Sequence, residues 1–87
     1  NDEERRLHAT LQGQLADYWP EADRVIALGA ANRNDEGVAL LRTAAAPRAE
    51  KVAATTDSLV ALNLRLAEEN ARRNDAAAAA TSRNMAI

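Results

Sequence analysis

The sequence predicts an all-α protein, an antiparallel hairpin of two long helices that needs further helices to cover it. Three observations lead to this prediction. The 87 residues include only three Gly, two Pro and two aromatic residues, and 28% are charged, a composition typical of long helices. Apolar residues recur at alternating spacings of three and four. One convincing turn, "NRNDEG", separates the two halves of the chain.

The first helix is predicted from about residue 3 to residue 31. Asp2 is the expected N-cap, and the acidic residues that follow it suit the positive end of the helix dipole. Gly29 and Asn32 supply the stop, and Pro20 should bend the helix locally. The apolar stripe consists of Leu11, Leu15, Tyr18, Ala22 and Val25, widened by Leu7, Trp19 and Ile26.

The second helix is predicted from about residue 35 to residue 86, and Asn34 can cap its start. The turn before it is predicted at residues 32–37. Pro47 predicts a kink or a short break near its position. The stripe of this helix consists of Val38, Leu41, Ala45, Arg48, Val52, Thr55, Leu59, Leu62 and Leu66. From Glu69 onward the same spacing selects charged residues and alanines, so this end should pack less tightly.

Two helices cover only one side of each other, so the predicted hairpin leaves apolar surface that other helices must bury. The hairpin is therefore either one half of an up-down four-helix bundle or a protomer of an oligomer. The domain is expected to span residues 1–87.

Several function classes are excluded by composition. The net charge is −2 and no basic block occurs, so no nucleic-acid surface is expected. No cysteine, phosphate-binding loop or nucleophile–base pair is present, which predicts neither a catalytic site nor a cofactor. His8 follows Glu4 by one turn, and a solvated ion pair is favoured there over a metal site. No signal peptide or membrane-spanning run is found.

Two polar residues interrupt the second stripe and form the candidate binding site. Arg48 and Thr55 either fix the register of the packed helices or point into a cavity that holds an anion, since a guanidinium matches a carboxylate bidentately. Tyr18 should lie level with Arg48 by equal distance from the turn, although an aromatic on an apolar stripe is more often core. The remaining candidates are Thr56, Lys51, Arg24 and Arg42.

The layout resembles the C-terminal half of the four-helix-bundle ligand-binding domain of bacterial methyl-accepting chemotaxis receptors. The residues that carry the resemblance are Leu11, Tyr18, Val25, Leu28 and Gly29 on the first helix, "NDEGVALLRTAAAP" after the turn, and Leu59, Leu62 and Asn63 on the second helix. The resemblance covers the whole chain, and the order helix, turn, proline, helix is its most specific part.

The resemblance implies that these are the third and fourth helices of a periplasmic sensor domain of an inner-membrane receptor. The expected partners are the two remaining helices of the same domain, a second copy in a dimer, and a membrane reached only through transmembrane helices outside this chain. The expected ligand is a small organic acid such as malate or citrate, with Thr55 or Thr56 similar to a ligand-contacting threonine of the family. The alternative is a coiled-coil adaptor that only oligomerises.

Overall fold

The computed structural model describes the backbone of residues 1–85 and the side chains of residues 1–80. Helix α1 spans Asp2–Ala30, α2 spans Asn34–Leu40, a π-helical segment spans Leu41–Ala45, and α3 spans Ala46–Met85. The last three follow one another without a gap and form one rod that folds back along α1. The molecule measures 78 × 20 × 16 Å. The all-α hairpin is confirmed; the expected end of the second helix near residue 86 lies outside the described residues.

The two helix starts differ from the sequence predictions by one residue each. Asn1, rather than Asp2, caps α1, because its side-chain oxygen accepts a hydrogen bond from the Glu4 amide at 2.7 Å. Asn34 is the first residue of α2 and does not cap it; Arg33 holds the N-cap position and makes no side-chain capping bond. The turn is shorter than residues 32–37 because the chain reverses direction within Ala31, Asn32 and Arg33.

The short turn follows from the way α1 ends. Asn32 has φ of 59°, the left-handed conformation that Asn tolerates better than most residues. Its amide donates to the Gly29 carbonyl at 3.0 Å, and the Arg33 amide donates to the Leu28 carbonyl at 2.8 Å. These two bonds are those of a Schellman motif, which satisfies the last carbonyls of α1 and turns the chain at once.

The interface between α1 and α3 follows the spacing of three and four. On the second arm the buried members are Ala45, which ends the π-helical segment, and Thr55, Leu59 and Leu62 of α3. The half-buried members are Arg48, Val52, Leu66 and Glu69. On α1 all five residues of the predicted stripe are half-buried, and the full set of half-buried residues is Glu4, Leu7, Leu11, Gln14, Leu15, Tyr18, Glu21, Ala22, Val25 and Leu28. The predicted stripe of α3 is therefore confirmed from Ala45 to Leu66.

Two residues expected to widen the stripe of α1 lie outside it. Trp19 is 57% exposed and Ile26 is 69% exposed. Each lies one position past a half-buried residue, Tyr18 and Val25, and one position is about 100° around a helix. Their side chains therefore flank the interface instead of entering it.

The irregularity expected near Pro47 takes the form of the π-helical segment. The Ala46 amide donates to the Leu41 carbonyl, five residues back instead of four. In a regular α-helix the ring of Pro47 clashes with the carbonyl of Thr43, four residues earlier. The wider turn includes Thr43, and helical backbone continues on both sides of it.

The π-helical segment shifts the inner face by one residue. In α2, Gly37 is buried and Leu40 is half-buried, whereas Val38 of α2 and Leu41, the first residue of the π-helical segment, are each 46% exposed. The prediction that Val38 and Leu41 belong to the stripe is therefore wrong. The physical reason is the extra residue in the π turn, which rotates everything before it relative to α3.

One ion pair joins the two arms near the start of α1. Arg65 Nη2 lies 2.8 Å from Glu3 Oε2, and both side chains are more than half exposed. Beyond this pair α3 projects past the end of α1, and residues 71–80 are all exposed. This end of α3 is exposed because α1 does not extend alongside it.

Candidate functional site

A groove of about 160 Å³ lies between α1 and the first turns of α3. Its lining residues are Gln14 and Asp17 from α1 and Pro47, Arg48 and Lys51 from α3. It is located next to the π-helical segment, because only Ala46 separates Pro47 and Arg48 from the end of that segment. The groove is the place where the helical interface is interrupted by polar side chains.

Arg48 is the central cation of this groove. Its Nη1 donates to the Ala44 carbonyl at 3.0 Å, and the side chain is half-buried. One hydrogen bond to its own helix holds the guanidinium in place while its other N–H groups stay available for a bidentate acceptor. Lys51, one turn further along α3, adds a second positive charge at the exposed side of the groove.

The wall contributed by α1 carries the side-chain amide of Gln14 and the carboxylate of Asp17. Asp17 follows Gln14 by three residues, so both lie on one side of the helix. Gln14 Oε1 is buried and has no hydrogen-bond partner among the described residues. Within the described part of the chain, no ion pair joins Asp17 to Arg48 or Lys51. The groove thus has two cationic side chains on α3 and a carboxylate and an amide on α1.

The other residues predicted for the site are not among the lining residues of the groove. Thr55 is buried in the helical interface, two turns beyond Arg48. Thr56 is exposed and donates to the Val52 carbonyl at 2.8 Å. Tyr18 is half-buried and packs edge-on against Trp19, with ring centroids 5.2 Å apart.

The two remaining arginines lie at the surface. Arg24 Nη1 is 2.8 Å from Glu21 Oε1 on the same helix. Arg42 is exposed on the π-helical segment. Of the seven predicted site residues, the structure therefore brings Arg48 and Lys51 together in the groove.

Sequence reasoning missed Gln14 and Asp17. The signal for Gln14 was available, since residues 7, 11, 14, 18, 21, 25 and 28 alternate spacings of four and three as strictly as the apolar stripe does. Gln14 and Glu21 are polar, and an apolar pattern search passes over them. Asp17 lies beside the stripe, and only the packing of the two arms brings it to the groove.

The groove is suited to binding a small polar molecule. In the part of the chain with described side chains, no cluster of acidic, His or Cys residues has the makings of a metal site. His8 Nε2 lies 3.7 Å from Glu4 Oε1, the geometry of the expected ion pair on an exposed surface. A carboxylate fits the guanidinium and ammonium of α3, and a hydroxyl or ammonium donor fits the acceptors of α1.

A second, apolar cleft of about 290 Å³ lies at the turn end of the hairpin. Its lining residues are Val25, Gly29, Asn34, Gly37, Val38 and Leu41. Val38 and Leu41 line this cleft because the π-helical segment has turned them off the inner face.

Comparison with protein families gives a match. Residues 1–78 match the family described as a four helix bundle sensory module for signal transduction. Comparisons with curated proteins and with solved structures find no match to this chain. Modules of the matched family are extracellular or periplasmic domains of membrane receptors. Among the described residues, no helix is both long and apolar enough to cross a membrane. Because the match covers most of its length, the chain belongs to the family of four-helix-bundle sensory modules for signal transduction.

Proposed function

We propose that the chain is the sensory module of a chemotaxis transducer, periplasmic and attached to the inner membrane, and that it binds a small organic acid in the groove at Arg48. Its two arms would be the third and fourth helices of the bundle. The observation that carries the proposal is that a held guanidinium shares one groove of a sensory module with Gln14, whose oxygen has no partner among the described residues.

The composition of the groove favours one type of acid over another. Two cations and one carboxylate leave the groove with a net charge of about +1, which suits a carboxylate ligand. This charge offsets only a small part of the charge of a tricarboxylate such as citrate, so an acid with fewer carboxylates is favoured. No described residue donates to the buried oxygen of Gln14, and a buried acceptor without a partner costs free energy. An acid with a hydroxyl or ammonium group, such as malate or aspartate, would supply that donor, whereas succinate would not.

Signalling would follow from differential binding to two helix arrangements. A ligand that binds one arrangement better shifts the population toward it. The groove joins α1 to α3, so its occupation would bias the axial position of α3 relative to α1. The exposed end of α3 would pass this displacement toward the membrane, because packed helices have few alternative registers.

Calorimetric titration of the full chain with malate, succinate and aspartate tests the proposal. We expect malate and aspartate to bind about tenfold more tightly than succinate, because one hydrogen bond to a buried acceptor is worth about 1.4 kcal/mol. Gln14→Met should abolish this preference. Arg48→Met should weaken binding of all three acids by at least about tenfold, since hydrogen bonds to charged groups are stronger.

The matched control is Arg72→Met, an exposed arginine of α3 far from the groove, which should leave the affinities unchanged. Equal loss of affinity in Arg48→Met and Arg72→Met would indicate a nonspecific charge effect. Absence of binding by every acid would contradict the sensor proposal.

The second candidate is a structural bundle or adaptor that only oligomerises. The observation that favours it is the set of large apolar side chains exposed on both arms, Trp19, Ile26, Val60 and Leu64. In this reading Arg48 only fixes the register of the packed helices. Oligomerisation without binding of any acid would favour the adaptor.

A further inference from the structure

In the part of the rod before Pro47, three pairs of residues adjacent in sequence are apolar or small. The pairs are Gly37 and Val38, Leu40 and Leu41, and Ala44 and Ala45. The first members form one helical face, and the second members form another face about 100° further round. The sequence "GVALLRTAA" therefore contains two superimposed inner faces.

The structure uses both faces, one on each side of the π-helical segment. Before the segment the first members face α1, with Gly37 buried and Leu40 half-buried. At its end Ala45 is 2% exposed and begins the stripe that continues along α3. The π turn thus transfers the inner face from the first members to the second.

A different hydrogen-bond register would remove this transfer. The Ala46 amide now donates to Leu41, and in a regular α-helix it would donate to Arg42. That change would rotate α2 by about 100° and shift it by about 1.5 Å along its axis. Val38 and Leu41 would then join Ala45 in one uninterrupted stripe and leave the surface, where each is 46% exposed.

Pro47 and Arg48 favour the register that is observed. The ring of Pro47 disfavours regular α-helix at Thr43, inside the π-helical segment. Arg48 Nη1 donates to the carbonyl of Ala44, which also belongs to that segment. The guanidinium at the centre of the groove is therefore bonded directly to the backbone of the π turn.

We propose that Leu41–Ala45 is a two-state register switch: the π register turns Gly37 and Leu40 toward α1, and the α register turns Val38 and Leu41 toward it. An acid in the groove stabilises the π register, because it binds Arg48 in the position that its bond to Ala44 fixes. The switch itself stands on the packing of α2; only the effect of the acid rests on the proposed function.

Disulfide trapping in the full chain measures the register, and the chain has no cysteine of its own. A Cβ at Gly37 would lie 3.5 Å from the Cβ of Leu28, within the range of a disulfide. The pair Leu28→Cys with Gly37→Cys reports the π register. The pair Leu28→Cys with Val38→Cys reports the α register.

Two variants set the register in opposite directions. Pro47→Ala restores an amide donor and removes the ring, so we expect trapping at Val38→Cys to rise at least about fivefold relative to trapping at Gly37→Cys. Deletion of Thr43 removes the extra residue, so a regular helix then keeps Gly37 and Leu40 inward. This deletion should trap only through Gly37→Cys.

The ratio of the two trapping rates decides the proposal. An unchanged ratio in Pro47→Ala, with helix content retained by circular dichroism, would overturn the switch. In Pro47→Ala, malate should shift the ratio back toward Gly37→Cys by about fivefold. Malate that binds without changing the ratio would refute the coupling between the acid and the register. Failure of malate to bind would refute the proposed function. In that case the Pro47→Ala result alone would decide whether the register switch exists.

Discussion

Arg48 and Thr55 occupy equivalent positions of one stripe, but their surroundings give them different roles. Arg48 has a long stem and a guanidinium that reaches both the Ala44 carbonyl and the groove, so its charge stays hydrated on one side. Thr55 is short, and its side chain ends between the two helices, where the residue is only 7% exposed. The same spacing therefore produced a candidate ligand contact and a buried hydroxyl.

Thr55→Val should raise the free energy of unfolding by about 1 kcal/mol. The residue is only 7% exposed, and a methyl group in place of the hydroxyl adds apolar surface to the interface between the two helices. Urea denaturation of the variant and of the unaltered chain at equal concentration measures the change.

The matched control for this prediction is Thr10→Val, an exposed threonine of α1, which should change stability by less than about 0.5 kcal/mol. Destabilisation by Thr55→Val of about 1 kcal/mol or more would mean that the hydroxyl has a hydrogen-bond partner in the assembled bundle.

Among the elements, the turn between the arms is held by both backbone and side-chain hydrogen bonds. Asn32 ends α1 in the left-handed conformation, and α2 begins two residues later. Arg33 donates from Nη2 to Glu36 Oε1 at 2.9 Å across the first turn of α2. The guanidinium hydrogen bond lowers the pKa of Glu36, and the positive charge of Arg33 lowers it further.

Glu36 should titrate below the ordinary range of glutamate, and Arg33→Ala should return its pKa to that range. A lowered pKa in the folded state means that the interaction stabilises the fold above the ordinary glutamate pKa. This contribution is lost as the pH falls through the pKa of the folded state. Carboxyl chemical shifts followed by NMR from pH 7 to about pH 2 measure both titrations.

Arg72→Ala serves as the control for this titration, because its nearest acidic partner is Glu68 on the far part of α3. A Glu36 pKa that does not change in Arg33→Ala would show that the pair does not form in solution. The effect on stability should be small, since both side chains are more than half exposed.

At the scale of the whole molecule, the hairpin has apolar side chains on the flanks of both arms. Trp19 and Ile26 lie on the flank of α1, and Val60 and Leu64 lie on the flank of α3 with more than 60% of their surface exposed. A helix in a four-helix bundle contacts two neighbours on different sides. The flanks are therefore positioned for the further helices that the family architecture includes.

Val60→Glu combined with Leu64→Glu should reduce self-association of the chain. Two charges in place of exposed apolar side chains oppose burial of that flank against a second copy. Light scattering after size-exclusion chromatography, over a range of chain concentrations, measures the average mass, which we expect to fall toward that of a monomer.

The control is Ser58→Glu combined with Ala61→Glu. It adds the same two charges at exposed positions on another side of α3. This variant should self-associate like the unaltered chain. A compact monomer at every concentration without any substitution would contradict the expectation that the hairpin needs partner helices.

Local rules determined most of the hairpin from the sequence alone. The alternating spacing predicted the stripe from Ala45 to Leu66, and the "NRNDEG" turn predicted the antiparallel reversal, because helix periodicity and turn chemistry act over a few residues. The same reasoning identified Arg48 and Lys51, which stand on one face of one helix.

Only the tertiary structure decided the features that depend on how the two arms meet. The π-helical segment rotated Val38 and Leu41 off the inner face. A search for a regular period of 3.6 residues assumes an uninterrupted α-helix, so it cannot predict this rotation. Gln14 and Asp17 line the groove because α1 lies against α3 at Arg48. Their separation from Arg48 along the sequence does not predict that contact. Periodicity fixes which side of each helix turns inward, whereas packing between helices selects which residues from opposite arms share a site.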